Sequence, residues 1–158
     1  MHLTTHTDYA LRTLMVLGVC APEKVRTADI GALFDISEHH LVKVIQNLAR
    51  HGYVETVRGK DGGVRLARSP SDINVGQVVR EMETDLGVVA CLQRGGQECF
   101  ITPVCGLKGV LEQATNAFLA QLDRVTLDQL LVTGQGRSSL RHRVAQGLSQ
   151  LVPLRISG

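Results

Sequence analysis

The chain has 158 residues, 44% of them hydrophobic, with no Trp, two Tyr and three Phe. That length suits one small domain with an attached element, and its core must be aliphatic. The net charge of +2 does not by itself point to nucleic acid, so what matters is where the charges sit. No apolar run is long enough to span a bilayer. The N-terminus lacks the basic stretch, apolar run and small-residue cleavage site of a signal peptide, so the chain is expected in the cytoplasm. In a reducing cytosol cysteines are more often ligands or redox groups than disulfides.

Residues 4–21 read as a helix, with Leu11, Leu14, Met15 and Gly18 on one face. Thr5 and Asp8 have capping-box spacing, and Pro22 ends the segment. Thr27 is placed to cap a short helix containing Ile30 and Leu33. After Phe34-Asp35-Ile36, Ser37 caps a second helix running to about Arg50, whose Leu41, Val44, Ile45 and Leu48 form an apolar stripe. The pair predicts a helix–turn–helix. His51-Gly52 stops that helix, and Tyr53–Val57 and Val64–Ala67 flank the glycine-rich turn Arg58-Gly59-Lys60-Asp61-Gly62-Gly63 as a β-hairpin.

Residues 74–83 form a further short helix with Val75, Val78, Val79 and Met82 apolar, and 84–103 read as a loop. A long helix follows over roughly 104–124, with a heptad-like stripe of Leu107, Val110, Leu111, Ala114, Ala117, Phe118, Leu122 and Val125. Thr126 with Gln129 caps a short helix to Val132. The tail from Gly134 mixes Gly, Ser and Arg and reads as flexible, with at most a weak helix in its middle.

The order helix, helix, helix, hairpin is that of a winged helix. The helix after the turn enters a major groove and reads base edges from its N-terminal residues, here Ser37, Glu38, His39, His40 and Lys43. Between Ser37 and Arg68 there are six cations (Lys43, Arg50, Arg58, Lys60, Arg65, Arg68) against three acids, with three histidines besides. Phosphates reward such a basic segment through counterion release. Wing-tip glycines allow close backbone approach, with Arg58, Lys60 and Arg65 supplying charge. Thr27, at a helix start, is a candidate phosphate ligand.

Cys91, Cys99 and Cys105 are separated by seven and five residues, looser than the C-x-x-C pairs of zinc ribbons. Such spacing suits a group larger than one ion, and soft thiolates favour iron–sulfur clusters, Cu(I) or zinc. Redox thiols are the other reading. Cys20, on an apolar helix, reads as core. No nucleophile–base pair, phosphate loop or paired carboxylates suggest an enzyme.

In combination, Leu3–Arg12, Ile36–Lys43, the wing Val57–Ala67 and the three cysteines resemble the IscR-like family of winged-helix iron–sulfur regulators, over about residues 1–132. Within it, the likeness is to the nitric-oxide-responsive repressors. The resemblance implies a homodimer through the long helix, a cluster on Cys91, Cys99 and Cys105 ([4Fe–4S] favoured over [2Fe–2S]), and double-stranded operator DNA as partner. Binding would hold while the cluster is intact and fail on nitrosylation. Sensing of cluster supply or redox state, and a metal carrier that does not bind DNA, stay open.

The sequence departs from the family at Lys108, where IscR carries a histidine ligand. The expected fourth ligand is Asp8 of the partner subunit, with Glu98, Asp85 and His142 as lesser candidates. The resulting fold class is mainly α with a small β-hairpin. The winged helix-turn-helix spans 1–83, the cysteine loop 84–106, the dimerisation helix with its following short helix 107–132, and the flexible tail 133–158.

Overall fold

Aliphatic side chains at helical spacing draw the N-terminal helices of the protein onto one core. The computed structural model describes residues 2–59, 62–97, 99–132 and 139–151. Helices α1 (Thr5–Cys20), α2 (Thr27–Phe34) and α3 (Glu38–Arg50) precede a hairpin of β1 (Val54–Val57) and β2 (Gly63–Leu66). Helices α4 (Val75–Met82), α5 (Gly106–Leu122), α6 (Leu127–Leu131) and α7 (Leu140–Leu151) follow. The fold is a winged helix with C-terminal helical additions. No helix among the described residues is long and apolar enough to cross a membrane.

The helix–turn–helix forms where the sequence places it. Asp35 takes a left-handed conformation (φ 53°) after α2, which Asp tolerates better than most residues. The Ser37 hydroxyl then accepts from the His40 amide at 3.4 Å, capping α3. Leu41, Val44, Ile45 and Leu48 are buried, so the opposite face, with His39, His40 and Lys43, is left to solvent. Gly52, at φ +71°, makes the reversal into β1. The hairpin is antiparallel, with Val54 opposite Leu66 and Glu55 opposite Arg65. Val25 adds a bridge to Val64, with both hydrogen bonds at 2.8 Å, tying the wing to the body.

Four expectations need correction. The cap of α1 is Thr4, whose hydroxyl accepts from Thr7 N–H. Thr5 and Asp8 form no capping box; the Asp8 carboxylate is held by Arg12 instead. Thr27 is the first helical residue of α2, and the cap position falls to Arg26, which makes no side-chain cap bond. The buried residues of α1 are Thr7, Ala10, Thr13, Leu14, Val16, Leu17 and Gly18, leaving Leu11 and Met15 half-buried. Burial on several sides arises because α3, α4, α6 and α7 surround α1. Residues 140–151, expected in a flexible tail, form α7, whose Val144 is buried while Leu140 and Leu148 pack on the same core.

Helix α4 is gripped on two sides. Its Val75, Val78, Val79 and Met82 are buried. Towards α5, the Arg80 guanidinium pairs with both carboxylate oxygens of Asp123, and Asn74 Nδ2 donates to the Asp123 carbonyl at 2.7 Å. Towards the winged helix, the buried Tyr53 hydroxyl donates to Glu81 Oε2 at 2.5 Å. His51 Nδ1 lies 3.4 Å from the same oxygen. Arg68 stacks over the Tyr53 ring at 4.7 Å and donates to the His51 and Gly52 carbonyls. Just past α4, Glu83 Oε1 accepts from the Thr4 amide and hydroxyl, so the end of α4 also caps the start of α1.

These contacts shift proton affinities. Burial raises the Tyr53 hydroxyl well above its ordinary value, with Glu81 adding to the effect. Burial also pushes Glu81 up, but Tyr53, Gln77, His51 and Arg68 together hold it below the usual carboxylate value.

Two predictions follow from this grip on α4. Tyr53→Phe should lower stability by about 1–2 kcal/mol in urea unfolding near neutral pH, since a hydrogen bond to a partly exposed carboxylate is lost. A lowered folded-state affinity stabilises the fold above the ordinary Glu range and is lost as pH falls. The gap between wild type and variant should therefore close below about pH 4. Gly76→Ala is predicted to destabilise by about 1–3 kcal/mol through overpacking. A Cβ there would sit 2.8 Å from the Asp123 amide nitrogen and against its carboxylate, wedging α4 from α5.

Candidate nucleic-acid interface and cysteine loop

Because the apolar stripe of α3 faces the core, the first turns of α3 present Glu38, His39, His40 and Lys43 outward, with Ser37 exposed at the cap. The His39 and His40 rings lie 6.2 Å apart. A shallow cleft of about 150 Å³ runs beside this face, lined by His40, Lys43 and Val44 of α3 and by Thr5, His6 and Tyr9 of α1. His6 Nε2 and Asn47 Nδ2 are 3.1 Å apart across the two helices. Sequence reasoning missed this contribution from α1, because nothing local in residues 5–9 shows which helix they will lie beside.

The basic segment is smaller than its cation count. Arg68 is turned inward onto backbone carbonyls and the Tyr53 ring, so it staples the wing base and adds little outward charge. Arg65 is exposed but paired with Glu55 directly across the hairpin. Lys60 lies outside the described residues. Lys43, Arg50 and Arg58 are exposed with no ion-pair partner among the described residues. Thr27 is half-buried in the first turn of α2, where a helix start favours anionic groups. The arrangement suits a duplex: a helix face for one groove, a wing beside it, and cations at the edges.

The cysteines occupy the single connection between α4 and α5. Asp85 accepts from the Gly87 and Arg94 amides at 2.7 and 2.8 Å, folding the segment that carries Cys91, which sits in a one-turn 3-10 helix (Ala90–Leu92). The Cys99 amide donates to Thr102 Oγ1 at 3.0 Å. Cys105 occupies the cap position of α5, where the helix dipole favours an anionic group. Cys91 and Cys105 are half-buried and Cys99 is exposed, all as free thiols. Among the described residues no group of three or more His, Cys, Asp or Glu side chains could hold a metal ion. The donors therefore suit a thiolate-held group in kind, being soft, unpaired and on one loop, but they do not converge on a single ion.

The proposed fourth ligands are dispersed. Asp8 makes a two-point contact with Arg12, at 2.8 and 2.9 Å, with its side chain 42% exposed. Arg12 in turn lies over the Phe34 ring. Asp85 is engaged by backbone amides, His142 is exposed on α7, and Lys108 is half-buried in α5. Glu98 lies outside the described residues. Around the loop, Phe100 is 99% and Val104 85% exposed, and the exposed Leu107 and Val110 continue this apolar surface along α5. Of α5, only Leu119 is buried; in its heptad-like stripe Leu107, Val110, Ala114 and Ala117 are exposed among the described residues, and Leu111, Phe118, Leu122 and Val125 are half-buried.

A family model described as an iron-dependent transcriptional regulator, Rrf2, matches residues 3–133. The HTH-type transcriptional regulator NsrR of Geobacillus kaustophilus is 49% identical over 142 residues, covering 89% of this chain and 95% of the relative. NsrR of Bacillus subtilis is 48% identical, covering 83% and 90%. Among solved structures, IscR of T. potens superposes with a TM-score of 0.66 at 27% identity, over 86% of this chain and 94% of that one. The cysteine regulator CymR of B. subtilis superposes at 0.70 with 22% identity, over 85% and 99%, a likeness of fold. The chain belongs to the Rrf2 family of winged-helix proteins and is a DNA-binding transcriptional regulator, not an enzyme.

Proposed function

We propose that this regulator is a cytoplasmic, dimeric iron–sulfur repressor that holds operator DNA while its cluster is intact and releases it on exposure to nitric oxide. The observation that carries the reading is the position of three free thiols, Cys91, Cys99 and Cys105, on the connection between α4 and α5. The similarity to proteins named NsrR supports it, and the nitric-oxide signal is what the sequence resemblance implies.

Cys91, Cys99 and Cys105 would hold the cluster, with Asp8 of the partner subunit as fourth ligand. A group held there would supply the nitric-oxide-reactive iron chemistry, and its thiolate ligation would crosslink the loop through Cys91, Cys99 and Cys105. What the chain does with that crosslink follows from its own contacts. Cys105 stands at the head of α5, and Asp85 folds the loop close behind α4. Glu83 grips the start of α1, and Glu81 grips Tyr53 at the wing base. A change in loop shape therefore reaches the recognition helix through α4. Two protomers joined along the exposed stripe of α5 would convert it into a change of half-site spacing. Ser37, His39, His40, Lys43, Arg58, Lys60, Arg65 and Thr27 are the proposed DNA contacts.

Two experiments check this. Anaerobically reconstituted protein is titrated with nitric oxide while operator binding is followed by gel shift. Affinity should fall at least a hundredfold, about 3 kcal/mol, in step with loss of cluster absorbance; unchanged binding after that loss sinks the sensor reading. For the fourth ligand, Asp8→Ala should alter the spectrum and speed cluster loss to small thiols, whereas Arg12→Ala should not. Identical spectra and thiol sensitivity for wild type and Asp8→Ala reduce Asp8 to a partner of Arg12.

The likeness to T. potens IscR supports a second reading, in which the same thiols hold a [2Fe–2S] group and report cluster supply or redox state. Native mass spectrometry of the holoprotein counts the irons and separates the two.

A further inference from the structure

The charge of this chain is unevenly divided. Residues 133–158 carry four arginines and no acidic residue, whereas the preceding part carries 13 basic residues against 15 acidic ones. The family match stops at residue 133, so this basic segment lies beyond it.

Its described portion, α7, is docked on the helix–turn–helix. Val144 is buried, and a Cβ on Gly147 would collide with the Leu33 side chain of α2. Leu148 and Leu151 line a groove with Arg26 and Asp29 at the start of α2. These contacts run α7 antiparallel to α2. Its first turn is thereby carried beyond the C-terminal end of α2, on the side of the 34–36 turn that delivers α3.

That first turn bears Arg141, His142 and Arg143, all exposed, and no acid. Neither arginine has an ion-pair partner among the described residues. Cations in the first turn oppose the helix dipole, so this placement does not serve helix stability. Val144, Gly147 and Leu148 face the body, and at helical spacing Arg141 and Arg143 flank that buried face on either side.

We propose that α7 is a second DNA-contacting element, in which Arg141 and Arg143 bind backbone phosphates flanking the bases read by α3. The contact is sequence-independent and adds to affinity through counterion release. It extends the footprint outward from each half-site.

The test uses the full chain, prepared anaerobically, on duplexes of two lengths over a salt series. Arg141→Gln/Arg143→Gln should lower the slope of log affinity against log salt by roughly 0.9 for each lost contact in each protomer. The loss should be equal on operator and non-specific duplex. It should vanish on a duplex trimmed to the half-sites. Arg141→Lys/Arg143→Lys should keep the wild-type slope, because a point charge suffices for a phosphate. An unchanged slope in the glutamine variant overturns the proposal. So does a loss confined to operator sequence, or an equal loss in the lysine variant, which would mark a structural role for the guanidinium groups. Whether the wild-type chain binds duplex with a salt-dependent slope tests the underlying DNA-binding reading separately.

Discussion

The bond from the buried Tyr53 hydroxyl to Glu81 is the centre of the polar contacts that join the wing base to α4. Tyr53 belongs to the wing base and Glu81 to the helix that leads into the cysteine loop. A buried hydroxyl needs a partner, and Glu81 is the acceptor that satisfies it. Around the bond, Arg68 closes on the ring and on the end of α3, while His51 approaches the same carboxylate. The geometry of α4 relative to the recognition helix is therefore specified by directional contacts. Apolar packing alone would leave it free to slide.

The same helix is held on its other side by Arg80 and Asp123, a two-point pair in which the arginine holds the aspartate below its usual carboxylate value. That pair is exposed and adds modestly to stability, but its fork geometry sets an angle. Helix α4 thus stands between two oriented clamps, and the cysteine loop begins one turn beyond them. A rigid element with both faces committed transmits a displacement better than it absorbs one.

Much of the winged helix was legible in the sequence. The stripe of α3, the Ser37 cap, the paired strands of the wing and the apolar positions of α4 are local patterns, and each formed within a residue of where it was read. What local pattern mis-stated were the roles of polar residues. Thr5, Thr27 and Asp8 all sit at cap-like spacing, yet Thr4 and Arg26 take the cap positions and Arg12 engages the Asp8 carboxylate. A one-residue shift in where a helix begins reassigns every polar group in its first turn. Arg65 and Arg68 counted as surface charge, but Glu55 faces one and two backbone carbonyls capture the other. The tail was misjudged for a related reason. The burial of α7 depends on Leu33 and the α1 surface, more than a hundred residues earlier.

The sequence by itself therefore determined the element order, the outward polar face of α3 and the loop that carries the thiols. Period, turn chemistry and residue softness are properties of short segments. Tertiary structure alone decided which cations remain available, which part of α1 borders the recognition helix, and that α4 ties the cysteine loop to the wing. It also decided that α7, which carries Arg141 and Arg143, packs against α2. Those are relations between residues far apart in the chain, set by which surfaces meet when the aliphatic core closes. For the winged helix, the fold left its presence unchanged and specified how it is held.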